Sequence, residues 1–512
     1  MPKQIRWIWV LVTAAALFAI FFWLSTLQQP LIDQHEFRQT QTALGALFMQ
    51  PGLEGLLNYQ TPVLGSPWSI PFEFPLFQWL SLQLASLTGM HLSTSGRLIS
   101  VLFGVGCLWP ASRLIRRAGL GIRAVALLII LYCTSSIYLY WNRAFLIEST
   151  ALFFTLLSLD VYSQIRNKEF SSVREFSSLN AGLVISLSIA LLIKATTALP
   201  ALVLMAIDWA WQSRTALRQR EKLLQAMLVG GGLIVAFTLL YSWTHHSDAL
   251  KQLNPFGAQL TSSALKAWNF GTPVQRVQPE LWLKVVSGRM LAPIAAIPII
   301  MGLRISSNQT RTFLLAFLIL AFAPLLTFTN LHIIHNYYQA ANHIFLLMAV
   351  AGSAAAILDS RSQKKIERIS IIAFLTILIL ANLSVFFTLS GSGYWLVSQQ
   401  QNSPKLTIGE IIQSQTPSTS VILVFGDDWS SAFAYHSQRR AFTLPGWAPS
   451  GLSPRDILLD PDLHLGGQPV GAVVSLKPIS EADLLPSCKI AEQSKIEEWH
   501  LYLCKPLITP QT

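Results

Sequence analysis

The chain is 512 residues long, 52% hydrophobic and only 12% charged, with a mean hydropathy of +0.48. A soluble protein would carry about 25% charged residues, so the composition excludes an ordinary soluble enzyme and indicates a polytopic membrane protein. The net charge of +11 does not mark a nucleic-acid binder: the basic residues sit in short loops between apolar runs (Arg113, Arg116, Arg117, Arg123; Arg214, Arg218, Arg220, Lys222; Arg361, Lys364, Lys365, Arg368), where they fix membrane orientation.

Residues 1–27 combine a basic start (Lys3, Arg6) with an apolar stretch of about 20 residues, one membrane crossing at 1.5 Å rise per residue. No small-x-small cleavage signal follows, so this reads as an uncleaved anchor with a cytoplasmic N-terminus. The loop 28–96 then lies outside. Its apolar stretch 72–89, FEFPLFQWLSLQLASLTG, reads as a helix along the outer interface rather than a span. A span there would put RLIRRAGLGIR on the wrong face. The spans that follow are 97–115, 124–141, 144–162, 180–195, 197–212, 224–243, 289–303, 312–329, 342–358 and 369–389. With the first, they make about eleven crossings of a cytoplasmic (inner) membrane. Three further segments fall outside: 244–282, 329–342 and the polar tail 390–512. The pair His245 and His246 reads as loop. In the tail, SVILVFGDDW, RAFTL and VGAVVSLK read as buried strands and TIGEIIQSQ as a helix, giving a small α/β domain. The domains are thus 1–389, membrane-embedded with 28–96 as its first external loop, and 390–512, extracytoplasmic.

Cys107 and Cys133 fall within spans as inert thiols. Cys488 and Cys504, on the oxidising side, are candidates for a disulfide. No Walker loop, G-x-G-x-x-G or Cys/His zinc spacing occurs, so no cofactor is expected. Asp33, His35 and Glu36 could hold a divalent metal, but adjacent residues on an irregular loop are a weak signal, and no metal site is assigned.

The informative feature is where the few charges lie. LIDQHEFRQTQTA packs Asp33, His35, Glu36 and Arg38 just past the first span. YWNRAFLIEST puts Arg143 and Glu148 at an outer turn, LLIKATTALP puts Lys194 at an outer helix end, and HIIHNYY puts His332 and His335 on one face if that segment is helical. Each residue alone has a plain alternative: a snorkelling lysine or arginine, an Arg143–Glu148 pair, interfacial histidines. Charges among apolar helices are costly, however, and by default mark a site. Arg, Lys and His at one depth suit a phosphate at the membrane surface. A carboxylate beside them can take a proton from a hydroxyl.

These stretches, with FEFPLFQWL, GRLISVLFGVGCLWPASRLIRRAG, NRAFLIESTALFFTLLSLD, HNYYQAANHIFLLMA and VFGDDWSSAFAYHSQRRAFTLPGW, resemble the GT-C membrane glycosyltransferases. The nearest branch is that of the protein O-mannosyltransferases and aminoarabinose-lipid A transferases. The resemblance implies an inverting transfer from a polyprenyl-phosphate sugar, among membrane lipids, to a glycan, lipid or protein acceptor. It implies Asp33 as the catalytic acid of the first loop, with Glu36 beside it. Arg143, Lys194, His335 and Tyr337, with Arg38, are implied near the donor phosphate, and His35, Glu148 and His332 remain further candidates. Two departures stand out: the acidic pair is spread as Asp33-x-x-Glu36, and Glu148 stands where Asp is more usual. The competing readings are a secondary transporter or flippase of a lipid-linked anion, which calls for mid-membrane charges and broken helices, and a scaffold whose tail binds a partner.

The topology yields a test. Cysteines placed near Gly89 and near Gly121 label from opposite sides of the membrane; labelling of both from outside would make 72–89 a span.

Overall fold

The computed structural model describes residues 3–167, 172–216, 220–360, 365–388, 394–449, 452–485 and 487–505; Arg218, Arg361 and Lys364, used above, and the first residues of the tail lie outside them. The chain folds as two compact units. The first comprises 1–27, 97–243 and 266–398, the second 28–96, 244–265 and 399–512.

The first unit is helical, and each of the eleven expected spans falls on a helix or a pair of consecutive helices, from Lys3–Ser25 to Lys365–Thr388. Six described helices are long and apolar enough to cross a membrane by themselves. A seventh candidate is the pair Glu280–Arg289 and Ala292–Ile305, bent by 72° at its break. The break falls at Leu291, whose φ of 53° is left-handed, just ahead of Pro293. Ile122–Thr134 and His343–Asp359 are shorter apolar helices, the second almost wholly buried. Close approach of helices relies on small residues: a Cβ on Gly302 would come within 2.4 Å of Ser353 Cβ. Two of the basic loop residues also have a structural use. Arg113 and Arg117 donate to opposite oxygens of buried Asp160, at 2.7 and 2.8 Å, and so compensate a carboxylate inside a helix bundle.

The second unit is built on a five-stranded sheet of order β2-β1-β3-β5-β4, with β1 Val421–Phe425, β2 Arg440–Thr443, β3 Val470–Ser475, β4 Lys489–Ile496 and β5 Trp499–Lys505. β2, β1 and β3 run parallel, and β5 and β4 complete the sheet antiparallel. β1 and β3 are buried along their whole length, which is why they read as continuous apolar runs. β4, KIAEQSKI, is mostly exposed and polar, and its pattern hid it from the sequence reading. The helix Pro404–Gln415 covers the stretch read as helical.

The first loop is knitted into this sheet. Ala441 and Thr443 of β2 donate to the carbonyls of Pro62 and Val63, at 3.0 and 2.8 Å, and Gly65 donates back to Ala441 O at 3.2 Å. The β2 edge, a liability if left open, is thereby paired. Gly65 is required there: its φ is +77°, and a Cβ would lie 2.4 Å from His464 O. A third segment locks the loop, because Asn254 Nδ2 reaches the carbonyls of Leu64, Gly65 and Pro67, each at 3.2 Å.

One expectation needs correction, and a second is narrowed in extent. The segment from 244 does not begin as a loop: the helix Arg220–Gln252 runs on through His245 and His246 for 33 residues. His246 Nε2 lies 3.1 Å from Asn58 Oδ1, a structural contact within the second unit. The apolar stretch 72–89 forms a helix only over Leu76–Thr88, closed by Gly89 in the left-handed region. At 13 residues it is about 20 Å long, short of the roughly 30 Å hydrocarbon core.

Cys488 and Cys504 form a disulfide that ties the start of β4 to the end of β5. It closes a loop of sequence separation 16, for which chain entropy gives about 3 kcal/mol. Cys488→Ser with Cys504→Ser is expected to lower the thermal midpoint of the second unit by several degrees, and intact mass of the wild type should rise by two hydrogens on reduction. Free thiols in protein purified without reductant would refute the linkage.

Candidate functional site

In the first unit the helix Val173–Ile193 ends at Lys194, which leaves the helical region (φ −157°, ψ 96°) before the helix Ala195–Ala216 begins. This break turns the lysine inward. Its side chain is 4% exposed and is paired with Glu148, 1% exposed, the first residue of the helix Glu148–Asn167. A carboxylate in a helix's first turn is favoured by the dipole, and here it compensates a buried ammonium. The ammonium also lies 4.0 Å from the Tyr338 ring centroid and 5.1 Å from that of Tyr337. Glu148 is therefore partnered by Lys194, and an Arg143–Glu148 pair across the turn is not what holds it.

Arg143 is fully buried, with its guanidinium 4.5 Å from the Tyr140 ring and 5.8 Å from Phe22. Buried Arg97, on the helix Leu92–Gly106, donates to the Arg143 carbonyl at 3.1 Å and fixes the turn. A continuous run of rings links the two cations. Tyr140 meets Trp141 at 4.7 Å and stacks on Tyr394 at 4.6 Å, Trp141 meets Tyr337 at 5.8 Å, and Tyr337 lies beside Lys194.

The histidines divide. The helix Thr329–Ile334 ends before His335, which is extended (φ −110°, ψ 113°), so the two do not share a helical face. His332 is buried, with Nδ1 3.1 Å from Gln339 Nε2 and its carbonyl accepting from Arg289 at 2.9 Å. Burial first, then the charges of Lys194 and Arg289, push its pKa down to about 3. It is a neutral hydrogen-bonding group, not a third cation. His335 packs instead against Tyr337, Tyr338 and Trp268, at 5.3, 5.9 and 6.2 Å between ring centroids.

In the second unit Asp33 is buried and accepts from Gln39 Nε2 at 2.5 Å, while its carbonyl accepts from Glu36 N at 2.9 Å. His35, with φ 55°, caps the helix Glu36–Leu47 from a left-handed conformation. Arg38 pairs with Glu73 and Gln41 and leans over Phe72. Glu36 faces the tail instead, with Lys405 Nζ at 3.8 Å and His436 Nε2 at 3.5 Å. Lys405 also binds both oxygens of Asp427, at 2.6 and 2.9 Å. Burial pushes the Asp427 carboxyl up from the usual carboxylate range, opposed by Lys405. Ser431 Oγ lies 3.1 Å from Thr40 Oγ1, and Trp429 packs on Phe37 at 4.8 Å, completing the clamp on this helix.

Arg143, Glu148, Lys194, His332, His335 and Tyr337 thus gather in the first unit, and Asp33, His35, Glu36 and Arg38 belong to the second. Among the described residues no group of three or more His, Cys, Asp and Glu side chains converges as a metal site. Sequence reasoning missed Arg97, Arg289, Tyr140, Tyr338 and Tyr394 in the first unit, and Glu73, Lys405, Asp427 and His436 in the second. Arg97 and Glu73 are charges next to apolar runs and carried the same signal as Arg143. Asp427 and His436 lie in a stretch that carries the resemblance, but as charges in a polar domain neither they nor Lys405 stood out.

Residues 10–243 match the family of dolichyl-phosphate-mannose-protein mannosyltransferases. No curated protein is a close enough match to count as a relative. Among solved structures, ArnT from Cupriavidus metallidurans bound to undecaprenyl phosphate superposes with a TM-score of 0.61 at 12% identity, over 96% of this chain and 97% of that one. The archaeal oligosaccharyltransferase AglB from Archaeoglobus fulgidus, in complex with an inhibitory peptide and a dolichol-phosphate, gives 0.55 at 13% identity over 93% of this chain and 70% of that one. The mycobacterial arabinofuranosyltransferase AftD gives 0.52 at 12% identity over 98% of this chain and 40% of that one. The chain is a multi-pass membrane protein that shares the fold of these GT-C glycosyltransferase structures, and its residues 10–243 are similar in sequence to the dolichyl-phosphate-mannose-protein mannosyltransferases.

Proposed function

We propose that the protein is an inverting glycosyltransferase that moves a sugar from a polyprenyl-phosphate donor to an envelope acceptor at the outer face of the cytoplasmic membrane, with the second unit extracytoplasmic. The observation that carries the reading is the buried set of Lys194, Glu148 and Arg143 in an aromatic surround. It supplies fixed positive charge at low dielectric and is built from side chains alone. The ligands named for the ArnT and AglB structures, undecaprenyl phosphate and a dolichol-phosphate, support the same donor class.

In this mechanism Asp33 takes the proton of the acceptor hydroxyl. The oxygen attacks the anomeric carbon from the side opposite the phosphate, the bond from that carbon to the phosphate oxygen breaks, and its electron pair leaves with the polyprenyl phosphate. Negative charge grows on the leaving group, so Arg143 and Lys194 stabilise the transition state more than the ground state. Tyr337 and His335 line the same cluster and orient the donor. Gln39, which donates to Asp33, holds its carboxylate in place. Arg38, paired with Glu73, also fixes the first loop.

The transporter alternative draws on one feature, the 72° break between Glu280–Arg289 and Ala292–Ile305. Movement of a lipid-linked substrate across vesicles without a new glycosidic bond would favour it.

Two measurements test the enzyme reading. Asp33→Asn keeps the shape and removes the basic oxygen; it should insert, purify and bind donor normally, while turnover falls by about 10²–10⁴-fold. Turnover per folded molecule near wild type would remove Asp33 from the mechanism. Glu148→Gln leaves the Lys194 ammonium buried without its counter-charge, which costs about 3–5 kcal/mol in such pairs. The variant should melt several degrees lower without donor, and polyprenyl phosphate should restore more stability to it than it adds to the wild type. Equal stabilisation of both proteins would show that the phosphate does not reach Lys194.

A further inference from the structure

The second unit contains a cavity of about 610 Å³, lined by the first loop and the tail, that the proposed chemistry does not use. We propose that it is a binding subsite for a neutral, hydroxyl-rich sugar and, resting on the function proposed above, that it seats the acceptor glycan.

The volume falls within the roughly 300–1,000 Å³ of small-molecule sites. Its lining has an unusual chemistry. Gln28, Gln401, Gln413 and Gln438 come from four separate places in the sequence and line one space. An amide both donates and accepts, as a sugar hydroxyl does, so the set can satisfy a polyol without holding a charge. No Lys or Arg is among the described residues that line the cavity, and Glu410 is its one carboxylate. A phosphate or an anionic headgroup is therefore disfavoured. Tyr435 and His436, both largely buried, belong to the same lining, and aromatic surface of this kind suits the apolar face of a pyranose. A peptide acceptor is the lesser match: the β2 edge, where an added strand would pair, is already occupied by residues 62–65.

The cavity's position ties it to the acid of the first loop. Pro30 and Leu31 line it and precede Asp33 in the chain by three and two residues. His436 lines it as well, and its Nε2 is 3.5 Å from Glu36 Oε1. A sugar touching His436 is one side chain away from the helix that follows Asp33.

The test uses full-length protein in detergent micelles without donor. The probes are neutral and anionic oligosaccharide pools released from the envelope of the producing cell, and a short Ser/Thr peptide. Binding is read by saturation-transfer NMR and native mass spectrometry. The neutral pool should bind the wild type and Asp33→Asn alike. Gln401→Ala with Gln413→Ala, both at exposed positions that the fold tolerates, should weaken that binding at least tenfold. The proposal is overturned if the neutral pool does not bind, if the double variant binds it as the wild type does, or if the anionic pool or the peptide is preferred. No turnover is measured, so failure here leaves the Asp33 experiment untouched, and an active Asp33→Asn enzyme does not affect the cavity.

Discussion

A charge buried among apolar helices must be compensated by another, and the first unit is organised around this constraint. An isolated ammonium moved from water to a medium of low dielectric loses several kcal/mol even after relaxation. Lys194 is tolerated because Glu148 begins the neighbouring helix and because tyrosine faces supply further negative potential. Asp160 is tolerated for the same reason, between Arg113 and Arg117. The two pairings differ in one respect that bears on function. Asp160 is held by two cations with further exposure of their own, whereas the Lys194–Glu148 pair is closed off and leaves the Glu148 Oε2 atom buried without a hydrogen bond.

The surroundings of that pair suit a leaving-group site. Aromatic walls exclude water and keep the local dielectric low, which strengthens the field of each cation. His332 adds no charge, because Lys194 and Arg289 together with burial hold it neutral. It orients Gln339, which in turn receives Arg289. The polar network of the histidine segment is thus structural support, and the positive charge of the cluster rests on Arg143 and Lys194.

The second unit solves a different problem, that of holding an irregular loop rigid. Residues 28–96 have only short helices of their own, yet the base role proposed for Asp33 requires it to occupy one position. Backbone pairing of residues 62–65 with β2, the amide fork of Asn254, and the Glu36–Lys405–Asp427 chain tie the loop to the sheet. A small α/β domain of this kind is a scaffold whose strands are far less mobile than the loop it grips.

The helices were legible in the sequence because apolar run length and the placement of Arg and Lys in loops are local, one-dimensional signals. The buried parallel strands β1, β2 and β3 were legible for the same reason. So was the list of charges worth attention: a few ionisable residues stand out against 12% total charge. What could not be read were the partners. In sequence the local candidate for Glu148 is Arg143, five residues away, but the helix break at Lys194 brings a residue 46 positions distant onto it. Nothing near Arg38 pointed to Glu73, nor anything near Glu36 to Lys405 and His436. β4 escaped because an exposed strand owes its conformation to its neighbour's hydrogen bonds and not to its own apolar pattern. Residue type and hydropathy determine which groups must be compensated and which segments are helical or buried. Which group compensates which depends on long-range closure of the chain, and that only the tertiary structure decides.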